Sequence, residues 1–196
     1  ISRVLVSKKI EQELTASLKN ALGSVKIGHG LDPSTNLGPL IDMENQKRAI
    51  GLIELAEKEA KMILRGEPGL GDLSKGSFIS PTIFRIDDTT HSLVQNEHFI
   101  PMISIETFDN EIEAIEKSNA TRYGLAASVY TNDLNLAMRV SRAIKTGTVW
   151  LNSHNRHMAE AETGGYRESG MGRLHGPEAL NDFLETKHIY LEAGKN

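Results

Sequence analysis

Apolar positions along the chain recur with two periods, and the alternation between them predicts most of its elements. Residues 3–6 form a short β-branched run. Residues 8–22 then place Ile10, Leu14, Leu18 and Leu22 four apart, which predicts a strand followed by an amphipathic helix. Asp42 is a helix cap for a second apolar stripe, Ala49, Ile53, Ala56, Ala60 and Ile63, and Gly66 is the stop after Arg65. Candidate strands follow at 78–84 and 102–108, separated by an irregular polar stretch from Asp87 to Phe99.

The second half alternates more regularly. The pattern predicts a helix over 111–118, a strand over 125–131, a helix over 134–144 and a strand over 148–152. Asn132-Asp133 stands where a cap belongs, and Thr146-Gly147 where a helix stops. A long loop then runs to Gly176, a helix spans 177–185 behind Pro177, and a final strand covers 188–192, from His188 to Glu192. Such alternation predicts an α/β fold: an open, largely parallel twisted sheet flanked by helices. Ligands of such sheets sit beyond the carboxyl ends of the strands, so the irregular stretches 87–101 and 153–176 are the places to look for a site.

Composition narrows the chemistry. The 196 residues are 39% hydrophobic and carry a net charge of -4 with neither sign gathered into a block, which argues for a folded domain and against nucleic-acid or membrane partners. No apolar run is long enough for a membrane span and no leader pattern opens the chain, so a cytoplasmic protein is expected. Cysteine is absent, which removes disulfides and thiol chemistry carried by this chain itself.

Several constellations have plain structural explanations. His154, His157, Glu160 and Glu162 are close in sequence, but they lie in a predicted loop without helical spacing, and no metal is expected there. Gly164-Gly165 and Gly170-Met171-Gly172 approach a phosphate-binding loop in composition, yet the third glycine of the dinucleotide fingerprint is missing and tight backbone packing explains them. Gly28-His29-Gly30 fails the same test because Pro33 occupies the third position. No Ser/His/Asp arrangement or nucleophile elbow is assignable.

Five stretches taken together carry a family resemblance: Gly38-Pro39-Leu40-Ile41, Asn96-Glu97-His98-Phe99-Ile100-Pro101, NATRYGLAASVYT at 119–131, GTVWLN at 147–152 and GGYRESGMGR at 164–173. In this order and register the chain resembles the C-terminal part of the catalytic domain of NAD(P)-dependent aldehyde dehydrogenases. The resemblance implies an enzyme that oxidises an aldehyde to a carboxylic acid through a cysteine thiohemiacetal and thioester, with NAD or NADP as hydride acceptor. It also implies that this chain, which opens at Ile1, begins just after the position of the catalytic cysteine, with the general-base glutamate further upstream. The fragment alone is therefore expected to be inactive. The rival reading is a non-catalytic binding or assembly module of the same ancestry.

By the same resemblance, Glu97 is the residue that hydrogen-bonds the nicotinamide ribose, and Phe99 the one that packs near the nicotinamide ring. Asn155, His157 and Thr163 fall where the family lines its substrate tunnel. Residues 1–186 are expected to form a partial catalytic domain and 187–196 an oligomerisation strand and tail, pairing subunits of a homodimer or homotetramer. The chain departs from the family at Asn96, where a glutamate is usual, and at Ile100, where glycine is usual. It also has Glu162-Thr163 for Pro-Phe, and Leu174 for an acidic residue. Polar groups thus replace aromatic tunnel walls, which predicts a polar or charged aldehyde as substrate.

Overall fold

A computed structural model describes residues 1–194. It divides into two compact units, Ile1–Thr121 and the remainder from Arg122. In the first unit, strand β1 (Arg3–Ser7) leads into helix α1 (Glu11–Gly23), and helix α2 (Met43–Glu59) leads into strand β2 (Lys61–Leu64). Strand β3 (Thr82–Arg85), the short helix α3 (Ser92–Gln95), strand β4 (Met102–Phe108) and helix α4 (Glu111–Asn119) complete it. The sheet order is β1-β4-β3-β2, parallel except for β2, which runs antiparallel to β3 at the edge. The expected open, largely parallel α/β architecture is present.

Each sheet face has its own core. Val6, Ile83 and Ile105 are buried on one face under Leu14, Leu18 and Leu22 of α1, which confirms that stripe except at its first member. Ile10 instead precedes the first helical turn and is exposed. On the other face Phe84, Ile86 and Met102 pack with Leu93 and Val94 of α3 and with Ala56 of α2. Asp42 caps α2 as expected, its carboxylate accepting from the Asn45 amide at 2.7 Å.

Several elements differ from the sequence reading: the strand expected over 78–84 forms only over Thr82–Arg85, and two further differences are larger. The second helix was expected to run to Arg65, but it ends at Glu59 and 61–64 form β2. Met62 packs with the α2 side of the sheet and Ile63 with the α1 side, an alternation that only a strand provides. The final strand over 188–192 is not formed: these residues pair with no other strand, and Ile189, Tyr190 and Leu191 are all exposed. A strand exists only as a paired ladder, and among the described residues no strand pairs with that segment.

The second unit contains β5 (Tyr123–Gly124), β6 (Ala126–Val129), α5 (Leu134–Ala143), β7 (Thr148–Leu151) and β8 (Tyr166–Arg167). Strands β6 and β7 are parallel, β5 and β8 antiparallel, and a 3-10 helix over Pro177–Phe183 stands where a longer α-helix was expected. Asp133 caps α5 by accepting from the Leu136 amide. A Cβ on Gly147 would collide with the Gly164 carbonyl, and one on Gly165 with Ser169, so backbone packing accounts for glycine at these positions. Among the described residues no helix is long and apolar enough to cross a membrane.

One polar contact crosses the first sheet. Glu106 on β4 is fully buried and receives Arg3 of β1 in a two-pronged pair, Nε to Oε1 at 2.7 Å and Nη2 to Oε2 at 2.8 Å. Nη2 of Arg3 also donates to the Lys117 carbonyl near the end of α4, at 2.8 Å. Removing one member of such a pair leaves an uncompensated buried charge. Arg3→Met is therefore expected to lower stability by about 3–5 kcal/mol, whereas the double change Arg3→Met with Glu106→Leu recovers most of that loss. Urea unfolding of the two variants checks this.

Candidate functional site

The irregular stretch before β4 forms the wall of a cavity. Residues 96–101 carry the chain from α3 to β4, and a space of about 200 Å³ opens between them and the floor of the sheet. Ile1, Ser2 and Arg3, Phe84, and Met102 with Ser104 line that floor; Leu93, Val94 and Asn96 to Ile100 line the wall. The cavity lies over the amino ends of β1 and β4, not beyond the carboxyl ends where the sequence reading placed it. The loop leaves the carboxyl end of β3 but traverses the sheet before entering β4, so its last residues arrive at the opposite rim.

Glu97 and Phe99 both stand on this wall. The Glu97 side chain is exposed, and its carboxylate makes no hydrogen bond or ion pair with the described residues. Phe99 is 80% exposed with a φ of 52°, a left-handed backbone that a bulky residue rarely adopts. An unpaired carboxylate and an unburied aromatic ring on one strained loop are suited to a ligand with hydroxyls and a flat ring. Ile100, the residue in place of the family's glycine, both lines the cavity and packs against Ala56 and Ile53 clusters beneath.

The loop is tied from several sides. Arg48 of α2 donates to the His98 carbonyl at 2.7 Å, and His98 Nε2 donates to the Leu93 carbonyl at 3.3 Å. His91 caps α3, its Nδ1 accepting from the Leu93 amide at 3.1 Å while Nε2 meets Glu59 Oε2 at 2.7 Å. At the far end the Met102 amide donates to the Ile100 carbonyl, and the Thr82 amide to that of Pro101. Neither Arg48 nor His91 is among the residues that pattern reading singles out; only their contacts reveal them.

The three residues expected in a substrate tunnel lie in the second unit. His157 Nε2 and Asn155 Oδ1 are 3.1 Å apart, and Asn155 has a φ of 55°. The His157 ring meets Trp150 edge to face at 5.4 Å, as the His154 ring does at 5.3 Å. Trp150 Nε1 donates to the Arg156 carbonyl at 2.7 Å, and Ser128 Oγ lies 2.9 Å from His154 Nδ1. Thr163 is not in that group. It pairs with Leu174 through two 2.8 Å backbone bonds and places its hydroxyl 3.2 Å from that of Thr148. Thr148 and Trp150 are two apart on β7, so Thr163 and His157 meet side chains of one strand face.

Burial holds the His98 imidazole below its ordinary pKa of 6.5; its bond to the Leu93 carbonyl opposes the shift, and the Arg48 charge reinforces it. Below pH 6.5 the unfolded chain therefore takes up a proton that folded His98 refuses. The His98 contribution to stability is constant above that pH and falls as pH drops through the window beneath it. His98→Gln is expected to flatten that fall, with urea unfolding at stepped pH as the check and an NMR titration of His98 locating the group.

Comparison with known proteins gives this geometry a context. Residues 1–189 match the model of the aldehyde dehydrogenase family. The chain is 37% identical over 191 residues to a betaine aldehyde dehydrogenase of Bacillus subtilis (strain 168), and 35% identical over 196 residues to one of Brucella anthropi. It resembles the crystal structure of betaine aldehyde dehydrogenase from Staphylococcus aureus in complex with NAD+, with a TM-score of 0.90 at 37% identity over 96% of this chain. The chain spans 39% and 40% of the length of the two curated relatives, and 38% of the crystallised one.

Proposed function

Because the chain belongs to the aldehyde dehydrogenase family, we propose that it supplies the cofactor-facing loop and part of the substrate wall of an enzyme that oxidises an aldehyde to an acid with NAD(P)+. The observation that carries this reading is the pairing of Glu97 with Phe99 on the cavity wall. When bound, the nicotinamide supplies the hydride acceptor. What this chain contributes is orientation: the Glu97 carboxylate accepts from ribose hydroxyls, and the Phe99 ring covers one face of the nicotinamide. Stacking on one face of that ring removes part of its exposed apolar surface from water, at about 25 cal/mol per Å².

The chain contains no cysteine, so the thiol that attacks the aldehyde belongs to a part of the enzyme that this sequence does not include. Alone, these 196 residues are inactive in this reading. Asn155, His157 and Thr163 form a polar portion of the substrate wall, which favours a polar or charged aldehyde. The similarity to enzymes named for betaine aldehyde, a cationic compound, agrees with that choice. The terminal segment from His188 to Glu192, with its exposed Ile189, Tyr190 and Leu191, is in this reading the strand that pairs subunits of a homo-oligomer.

Steady-state kinetics of the full-length enzyme test the assignment. Glu97→Gln and Phe99→Ala are each expected to raise KM for NAD(P)+ or lower kcat about tenfold, without raising KM for the aldehyde. Unchanged kinetics in both variants would overturn it. Betaine aldehyde or a carboxylated semialdehyde should be turned over in preference to a short aliphatic aldehyde; a strong aliphatic preference sinks the substrate reading.

A further inference from the structure

We infer that helix α2 acts as a rail that sets the pose of the Glu97 and Phe99 loop, with Arg48 and Glu59 as positioning residues for the cofactor side of the site. The inference rests on the reading of Glu97 and Phe99 as cofactor contacts, and it names residues that this reading leaves unused.

The connections form one continuous path. Glu59 Oε2 receives the Nε2 proton of His91 at 2.7 Å, because His91 Nδ1 is occupied in accepting from the Leu93 amide. That tautomer makes the ring a bridge between the end of α2 and the start of α3. From Leu93 the path continues through its carbonyl to His98 Nε2, and from the His98 carbonyl to Arg48 Nη2 at 2.7 Å. Arg48 and Glu59 are eleven residues apart on α2, a span of about 16 Å along a helix. The segment 91–98 is therefore slung between two fixed points of one rigid element, with Glu97 inside the span and Phe99 one residue beyond it.

A loop held at one point can pivot; one held at two is fixed in height and tilt. Leu93 and Val94 are buried in the core beneath α3, so they resist displacement toward the sheet, while the two α2 contacts resist displacement away from it. Both anchoring side chains are on the exposed side of the molecule: Arg48 is exposed, and Glu59 has a side-chain exposure of 48%. Neither supports the core, so neither is needed for the fold itself, and both are open to substitution without unfolding the unit.

The full-length enzyme tests this. Glu59→Ala and Arg48→Ala are each expected to raise KM for NAD(P)+ about three- to tenfold, leaving kcat at saturating cofactor and KM for the aldehyde within about twofold. Glu59→Gln, whose amide oxygen still accepts from His91, should stay at the wild-type value. An unchanged cofactor KM in both alanine variants, or a glutamine variant as impaired as the alanine one, overturns the rail. Hydrogen exchange at the Leu93 amide gives a readout independent of turnover: it should quicken in Glu59→Ala but not in Glu59→Gln, whatever the loop binds. If Glu97→Gln and Phe99→Ala leave cofactor KM untouched while exchange behaves as expected, the cofactor assignment fails and the rail stands; if exchange does not quicken, the rail fails.

Discussion

The fold of the first unit turns on one buried ion pair. Glu106 sits in the middle of β4 with no exposure at all, where an isolated carboxylate costs several kcal/mol even after relaxation. Only a partner that supplies two parallel donors offsets this, and Arg3 does so from the neighbouring strand while passing a third bond to the Lys117 carbonyl. Strand β1 is thereby fixed to β4 and to the α4 that follows it, across 103 residues of sequence. The next residue continues the polar seam: Thr107 takes the Asp87 carboxylate on its amide and hydroxyl, and Lys117 donates to the Thr107 carbonyl. Val4 and Val6 lie opposite Ile105 and Thr107, and burial of two valines of the same shape does not by itself distinguish this register from one shifted by two residues. The guanidinium has one place to go, so the register follows it.

The same pair connects the fold to the site. Arg3 is a floor residue of the cavity as well as the partner of Glu106, so the β1 to β4 register also sets the shape of the space that Glu97 and Phe99 face. A charged floor that is already fully paired presents little freedom to rearrange when a ligand arrives. In such a site orientation comes from the wall, and the wall is the part tied to α2.

How much of this was legible in the sequence follows from the range of the interactions. Strand β4 was read to both its ends, and the caps Asp42 and Asp133 were read correctly, because strand patterning and capping chemistry act within a few residues. Residues 61–64 were misread because Ile63 continues the helical stripe of α2 as well as it starts a strand. Pairing with β3 decided the matter, and that pairing is not local. The partner of Glu106 lies 103 residues away, and nothing in the pattern around either residue announces it. Glu97 and Phe99 were singled out only through resemblance to a family, since a loop carboxylate and a loop phenylalanine look ordinary in composition. Position along the loop was legible; which rim of the sheet the loop reaches was not.

Phe99 shows what the tethering is for. A bulky residue at positive φ carries a conformational cost of order 1–3 kcal/mol, and its exposed ring gains nothing from the core. Such a conformation persists only where the neighbours leave the chain no alternative. Here the backbone on one side is held by Arg48 at the His98 carbonyl, and on the other by the Met102 amide at Ile100 and the Thr82 amide at Pro101. Ile100 adds a side-chain anchor that glycine in its place would lack, so the departure from the family pattern strengthens the hold on its neighbour. The strain is thus imposed by bonds made elsewhere in the loop and the sheet. It presents an aromatic face to solvent at a defined height, a conformation in which the free chain would spend little of its time.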